Sequence, residues 1–198
     1  MEIEEATTES RIETLEKEIS ENLTLLKTLR KSLHGNSVED YLLKGPDGAI
    51  HLSELFDGKE DLIIVHNMGS WCAYCTMWAD GFNGVLHHLE SRAAFAVVTP
   101  DLPEKQAEFA AGRGWRLRMI SDSGSRFTED MGFRVTRDDG MYIIPGYTTF
   151  RRQPDGTIRR IGSDTFGPGD IYSSPWHMFD MLEANTGRPW RPRLSYDQ

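Results

Sequence analysis

The chain has 198 residues, 38% hydrophobic and 27% charged, with a net charge of −9. That is enough for one core plus an appendage, and the acidic balance argues against nucleic-acid backbones and anionic membranes as partners. No apolar run approaches the ~20 residues of a membrane span, and the acidic start Met1–Glu5 lacks an apolar signal core, so the expected compartment is the cytoplasm.

Apolar residues recur three and four apart over 11–33 (Ile12, Leu15, Ile19, Leu23, Leu26, Leu29, Leu33), which predicts an amphipathic helix of about six turns. Its acids crowd the first part and its bases the end, the sense a helix dipole favours, and His34-Gly35-Asn36 stops it. Such a helix packs either on its own domain or against a second copy as a dimerising coiled coil. Residues 1–36 are accordingly set apart from a domain expected at 37–187 and an Arg/Pro-rich tail at 188–198.

Tyr41-Leu42-Leu43, the turn Gly45-Pro46-Asp47-Gly48 and Ile50-His51-Leu52 read as an edge hairpin. A helical turn follows at Ser53–Phe56, then a buried strand at 62–66. Trp78, Phe82, Val85, Leu86 and Leu89 predict one long helix after it. Phe95–Thr99 is a second buried strand, Pro103–Gly112 a helix, Arg116–Ser121 an exposed strand, and Ser125–Met131 a short helix. Residues 147–152 and 157–162 form a hairpin about Pro154-Asp155-Gly156. A last helix runs from Ser173 to about Ala184, packing through Trp176, Phe179 and Met181, and Arg188, Arg191 and Arg193 make a basic tail. Alternating strands and helices, closed by a hairpin and a helix, imply an α/β domain with a central mixed sheet flanked by helices.

The only two cysteines sit in Trp71-Cys72-Ala73-Tyr74-Cys75, between the strand and the helix. They are too few for a disulfide framework, and in a reducing compartment such a pair points to redox or metal chemistry. At a helix start the first thiol meets free N–H groups that stabilise a thiolate, and the second lies one turn away to close a disulfide. Thiol-disulfide exchange would use Cys72 as attacking thiolate and Cys75 as the resolving thiol. Trp71 would shield one side, and Ala73-Tyr74 would set geometry and potential.

A strand, this motif, a long helix and a terminal β-β-α unit resemble the thioredoxin fold, and the extra material at 95–132 resembles its peroxiredoxin-like elaboration. More closely, Tyr41 to Val65, Cys75-Thr76-Met77-Trp78-Ala79-Asp80-Gly81-Phe82 and the Arg-Pro ending resemble a bacterial thioredoxin-like family of unassigned function. The resemblance implies the fold and a dithiol site without naming a substrate. Thioredoxins carry an acidic residue six positions before the first cysteine; here it is His66, either a proton acceptor for Cys75 or an uninvolved imidazole. Their cis-proline site corresponds to Tyr147 by counting back from Gly156, with Pro145 either that proline after a bulge or an ordinary turn residue. If Tyr147 holds the site, its ring would cover the sulfurs. Asp80 is either a carboxylate tuning Cys75 or an exposed helix residue.

Three rivals stand beside the dithiol oxidoreductase. A peroxidase would need a Thr or Ser three residues before its cysteine and a Pro seven before it, where this chain has Gly69 and Val65. A zinc or copper site would pair the thiolates with His66, His87 or His88. A binding or scaffold protein would keep the fold without turnover. The dithiol reading implies no cofactor, a protein or small thiol/disulfide partner, and a possible homodimer through the N-terminal helix.

Overall fold

The computed structural model describes residues 7–183 and 190–196. Helix α1, Thr8–Ser32, is capped by Thr7, whose Oγ1 accepts the Ser10 N–H. None of its side chains is buried. Only its last turns meet the body, where Arg30 pairs with Asp164 and, just beyond the helix, His34 Nε2 hydrogen-bonds Ser163 Oγ at 2.9 Å. Within one chain the helix meets the body through its C-terminal part, against the strand Ile158–Thr165. Among the described residues no helix is long and apolar enough to cross a membrane.

The elements that follow are β1 (Ser37–Val38), β2 (Leu42–Gly45), β3 (Gly48–His51), a 3-10 turn (Leu52–Phe56), β4 (Asp61–His66), α2 (Ala73–Gly84), α3 (Leu86–Arg92), β5 (Ala94–Thr99), α4 (Pro103–Arg113), β6 (Met119–Ser121), α5 (Phe127–Asp130), β7 (Arg134–Arg137), β8 (Gly140–Ile143), β9 (Gly146–Arg152), β10 (Ile158–Thr165) and α6 (Pro175–Phe179). Eight strands form one mixed sheet in the order β1-β10-β9-β4-β5-β6-β2-β3. β4, β5 and β6 run parallel through helical crossovers, while β9 lies antiparallel on the other side of β4. The β2–β3 hairpin sits at the sheet edge as its turn residues predict.

Side-chain alternation along β4 divides the core into two layers. Leu62 and Ile64 join Leu52, Phe56, Phe127 and Phe150 on one side. Ile63 and Val65 face Cys72, Cys75, Trp78 and Phe166 on the other. The parallel strand β5 is buried along its whole length, as a strand covered on both faces must be.

Several expected elements need correction. The long helix after the motif is two, broken at Val85, because the weak helix formers Gly81-Phe82-Asn83-Gly84 precede it. β6 is short and largely buried rather than exposed, since β5 and β2 flank it. Residues 134–143, where no hairpin is expected above, form a separate β7–β8 hairpin, with Val135-Thr136 before the Asp138-Asp139-Gly140 turn. The last helix ends at Phe179: only Trp176 on it is buried, and a helix with so little buried face does not extend itself. Phe179 and Met181 are exposed. Ala184, Arg188 and Pro189 lie outside the described residues, as do the last two residues of the expected tail.

Candidate active site

β4 delivers the chain to the edge of the cysteine layer, and the loop 67–71 turns it into α2. Asn67 Oδ1 accepts the Gly69 N–H at 2.8 Å, and Gly69 O accepts the Cys72 N–H at 3.1 Å. Gly69 itself has φ +112°, and a Cβ there would stand 3.1 Å from Asp101 Oδ2. That same carboxylate oxygen accepts the Ser70 N–H at 2.7 Å, while Lys105 binds the other oxygen. Burial alone would raise Asp101, but hydrogen bonds from Lys105 and Ser70 hold it below the usual carboxylate value. The turn before the motif is thus pinned from the loop after β5.

Cys72 is the N-cap of α2. Its Sγ accepts the Cys75 N–H at 3.1 Å, and its carbonyl accepts both the Thr76 N–H at 3.0 Å and the Thr76 hydroxyl at 2.9 Å. A hydrogen bond from the Cys75 thiol, helped by the N–H groups of Cys75 and Tyr74, lowers Cys72 from 9.0 to about 7 against the opposing effect of burial. Cys75 moves the other way, raised by its bond to Cys72 and by burial. Both cysteines are free, and they are 3% and 2% exposed. Trp71 beside them is 67% exposed. Ala73 is half-buried, and Tyr74 stacks on Trp176 of α6 with centroids 5.9 Å apart.

Residues 4–193 match the family described as bacterial protein of unknown function (DUF899). The chain belongs to this family. No curated protein matches it. Among solved structures this DUF899 chain is similar to peroxidoxin BcpB from Mycobacterium tuberculosis, at 22% identity over 67% of this chain and 84% of that one, with TM-score 0.54. It is similar to a mutant of PrxQ from Xylella fastidiosa, at 15% identity over 74% and 94%, TM-score 0.55. Reduced Prx3 from Vibrio vulnificus gives 10% identity over 74% and 96%, TM-score 0.55. These likenesses establish the thioredoxin-like, peroxiredoxin-like fold expected from the sequence.

Two residues expected at the cysteine site, His66 and Asp80, stand elsewhere. His66 follows Leu62 and Ile64 onto the face opposite the cysteines, where it stacks on Phe133 at 4.0 Å and bonds Thr148 Oγ1 through Nε2 at 3.0 Å. Burial, then the nearby Arg160, lowers it from 6.5 to about 3. A neutral ring across the sheet is no proton acceptor for Cys75. Asp80, five residues beyond Cys75 and so turned well away on the helix, takes two hydrogen bonds from Arg113 and one from Trp115 Nε1 at 2.7 Å. Pro145 joins β8 to β9 without a cis bond, so it is a connecting proline.

Tyr147 does belong to the cysteine layer. It is the second residue of β9, opposite Val65, and packs with Phe166, and its hydroxyl meets that of Tyr172 at 3.2 Å. Tyr172 in turn donates to Asp164, which also holds Arg30 of α1. Asp170 fixes this loop, accepting the N–H groups of Gly167 and Tyr172 and that of the Trp78 indole. Sequence reasoning missed Asp101, Tyr172 and Asp170. Asp101 reads as an ordinary turn residue before Pro103, and no local pattern announces a partner 31 residues away. Of the candidate metal ligands, His87 and His88 lie side by side on α3, their rings tilted with centroids 3.9 Å apart. Among the described residues no three His, Cys, Asp or Glu side chains gather where an ion could be held.

Proposed function

We infer that this DUF899 protein is a dithiol-disulfide oxidoreductase acting through Cys72 and Cys75 on a protein or small-molecule thiol/disulfide partner in a reducing, cytoplasmic setting. The observation that carries the reading is the placement of two adjacent free thiols: Cys72 at the N-cap of α2, its Sγ accepting the Cys75 N–H at 3.1 Å, with Cys75 one turn behind it, an arrangement that lowers the first thiol and raises the second. One is a nucleophile at neutral pH and the other holds its proton until needed.

In the reducing direction the Cys72 thiolate attacks one sulfur of a substrate disulfide. The substrate S–S bond breaks, a Cys72–substrate bond forms, and the other substrate sulfur leaves as a thiolate. Cys75 passes its proton to that thiolate and attacks Cys72 Sγ, which frees the second substrate sulfur, protonated from water. The substrate gains two electrons and two protons, and Cys72–Cys75 becomes the disulfide. The oxidising direction is the reverse.

The test is a redox titration of the pair in glutathione buffers, read by mass after thiol alkylation. A reversible two-electron couple is expected, absent from Cys72→Ser and Cys75→Ser. Failure to form the Cys72–Cys75 disulfide in oxidising glutathione would overturn the assignment.

A further inference from the structure

We propose that α1 is an interaction surface for a second copy of this chain, the two helices pairing antiparallel about a two-fold axis. Ile12, Leu15, Ile19, Leu26, Leu29 and Leu33 fall on one stripe, and all are between 39% and 76% exposed. With Asn22 they occupy seven positions spaced alternately three and four apart, the a and d series of a coiled coil. Leu25 widens the stripe on the side away from Leu23 and Arg30, the only partly buried helix residues. Twenty-five residues reach roughly 37 Å, and the body holds only the last turns. Among the described residues nothing covers the rest.

Charge selects the occupant and its direction. Between Thr8 and Glu21 the helix carries five acids and two bases; between Asn22 and Ser32 it carries three bases and no acid. Parallel pairing sets acid against acid and base against base, whereas antiparallel pairing sets each acidic half against the partner's basic half. Lys27 and Lys31 have no ion-pair partner within the described chain that competes for them, while Arg30 is engaged with Asp164. Asn22, the one polar member of the series, lies near its middle. An antiparallel pair brings the two copies of that residue beside the axis, where a polar contact fixes register. A two-fold pair is closed, so the surface is used up in the dimer rather than propagating.

The experiment is the solution mass of the full chain by sedimentation across a range that would reveal micromolar association. The expected result is a reversible dimer of twice 22.5 kDa that weakens as salt rises. Ile19→Glu with Leu26→Glu, on side chains that touch no core, should weaken it by at least about tenfold. Orientation is read separately. In a Cys72→Ser, Cys75→Ser background, a flexible bis-maleimide should join Glu9→Cys chains to Ser32→Cys chains more readily than either to itself. A monomer at every concentration, a dimer indifferent to the Glu substitutions, or preferential Glu9→Cys self-linking would each overturn the proposal.

Discussion

Alkylating reagents attack the thiolate, so the reaction of Cys72 should rise with pH through a midpoint near 7 and level off above it. The largest cause of that low value is the Cys75 thiol bond. In Cys75→Ala the midpoint should move up and the rate at pH 7 should fall, about fivefold if the midpoint rises to roughly pH 8. An unmoved midpoint would assign the whole effect to the helix N–H groups. His66 has the opposite bearing, on stability. Its value in the folded chain, about 3, lies below 6.5 in the unfolded chain, so between those limits the unfolded chain binds a proton the folded one refuses. Stability should therefore rise with pH through that window and be flat above it, with this residue contributing at most about 1.4 kcal/mol per pH unit. Urea unfolding at pH 5 and pH 7 checks this, since the wild type must lose more on acidification than His66→Phe. The cysteines were legible from their spacing, whereas the fate of His66 was not. Motif position suggested a proton acceptor, but the deciding fact is which face its strand presents to α2.

Among the elements, those with a strong period or a marked turn were readable: α1, the β2–β3 and β9–β10 hairpins, β4 and β5. What escaped were elements decided by neighbours. β6 has three residues and owes its burial to β5 and β2. The β7–β8 hairpin carries an arginine-rich, mostly exposed pattern that resembles a loop. The start of β9 is a tighter case. A Cβ on Gly146 would lie 2.3 Å from Asp164 O and 2.4 Å from the Phe133 ring, so β9 and β10 close up there only because the side chain is missing. Gly146→Ala should cost about 1–3 kcal/mol, the range for overpacking. It should appear as a lower urea midpoint with unchanged slope. A midpoint equal to wild type would mean that β10 can shift freely.

At the scale of the molecule, α/β alternation and the terminal β-β-α unit were enough to read the architecture, and the structural similarities agree with it. The long-range ties were not readable. Asp101 reaches back to Ser70, Asp170 holds the loop over the aromatic layer, and Arg113 bonds both Asp80 and the carbonyl of Leu194 in the tail. Each is an ordinary charged residue in sequence, and each becomes informative only when the fold brings its partner near. Through these hydrogen bonds the motif loop, the Tyr172 loop and the tail are held to one frame.

β4 separates two environments that must not mix, a sulfur layer and a layer of stacked rings around a neutral imidazole. A strand that faces both ways is intolerant of length change. One residue inserted or deleted within 61–66 would exchange the faces, sending His66 toward the thiols and Val65 into the Phe127–Phe133 layer. The exposed turn Asp57-Gly58 just before the strand carries no such constraint. A residue added at that turn would leave both faces of β4 in place, whereas one added within the strand would not.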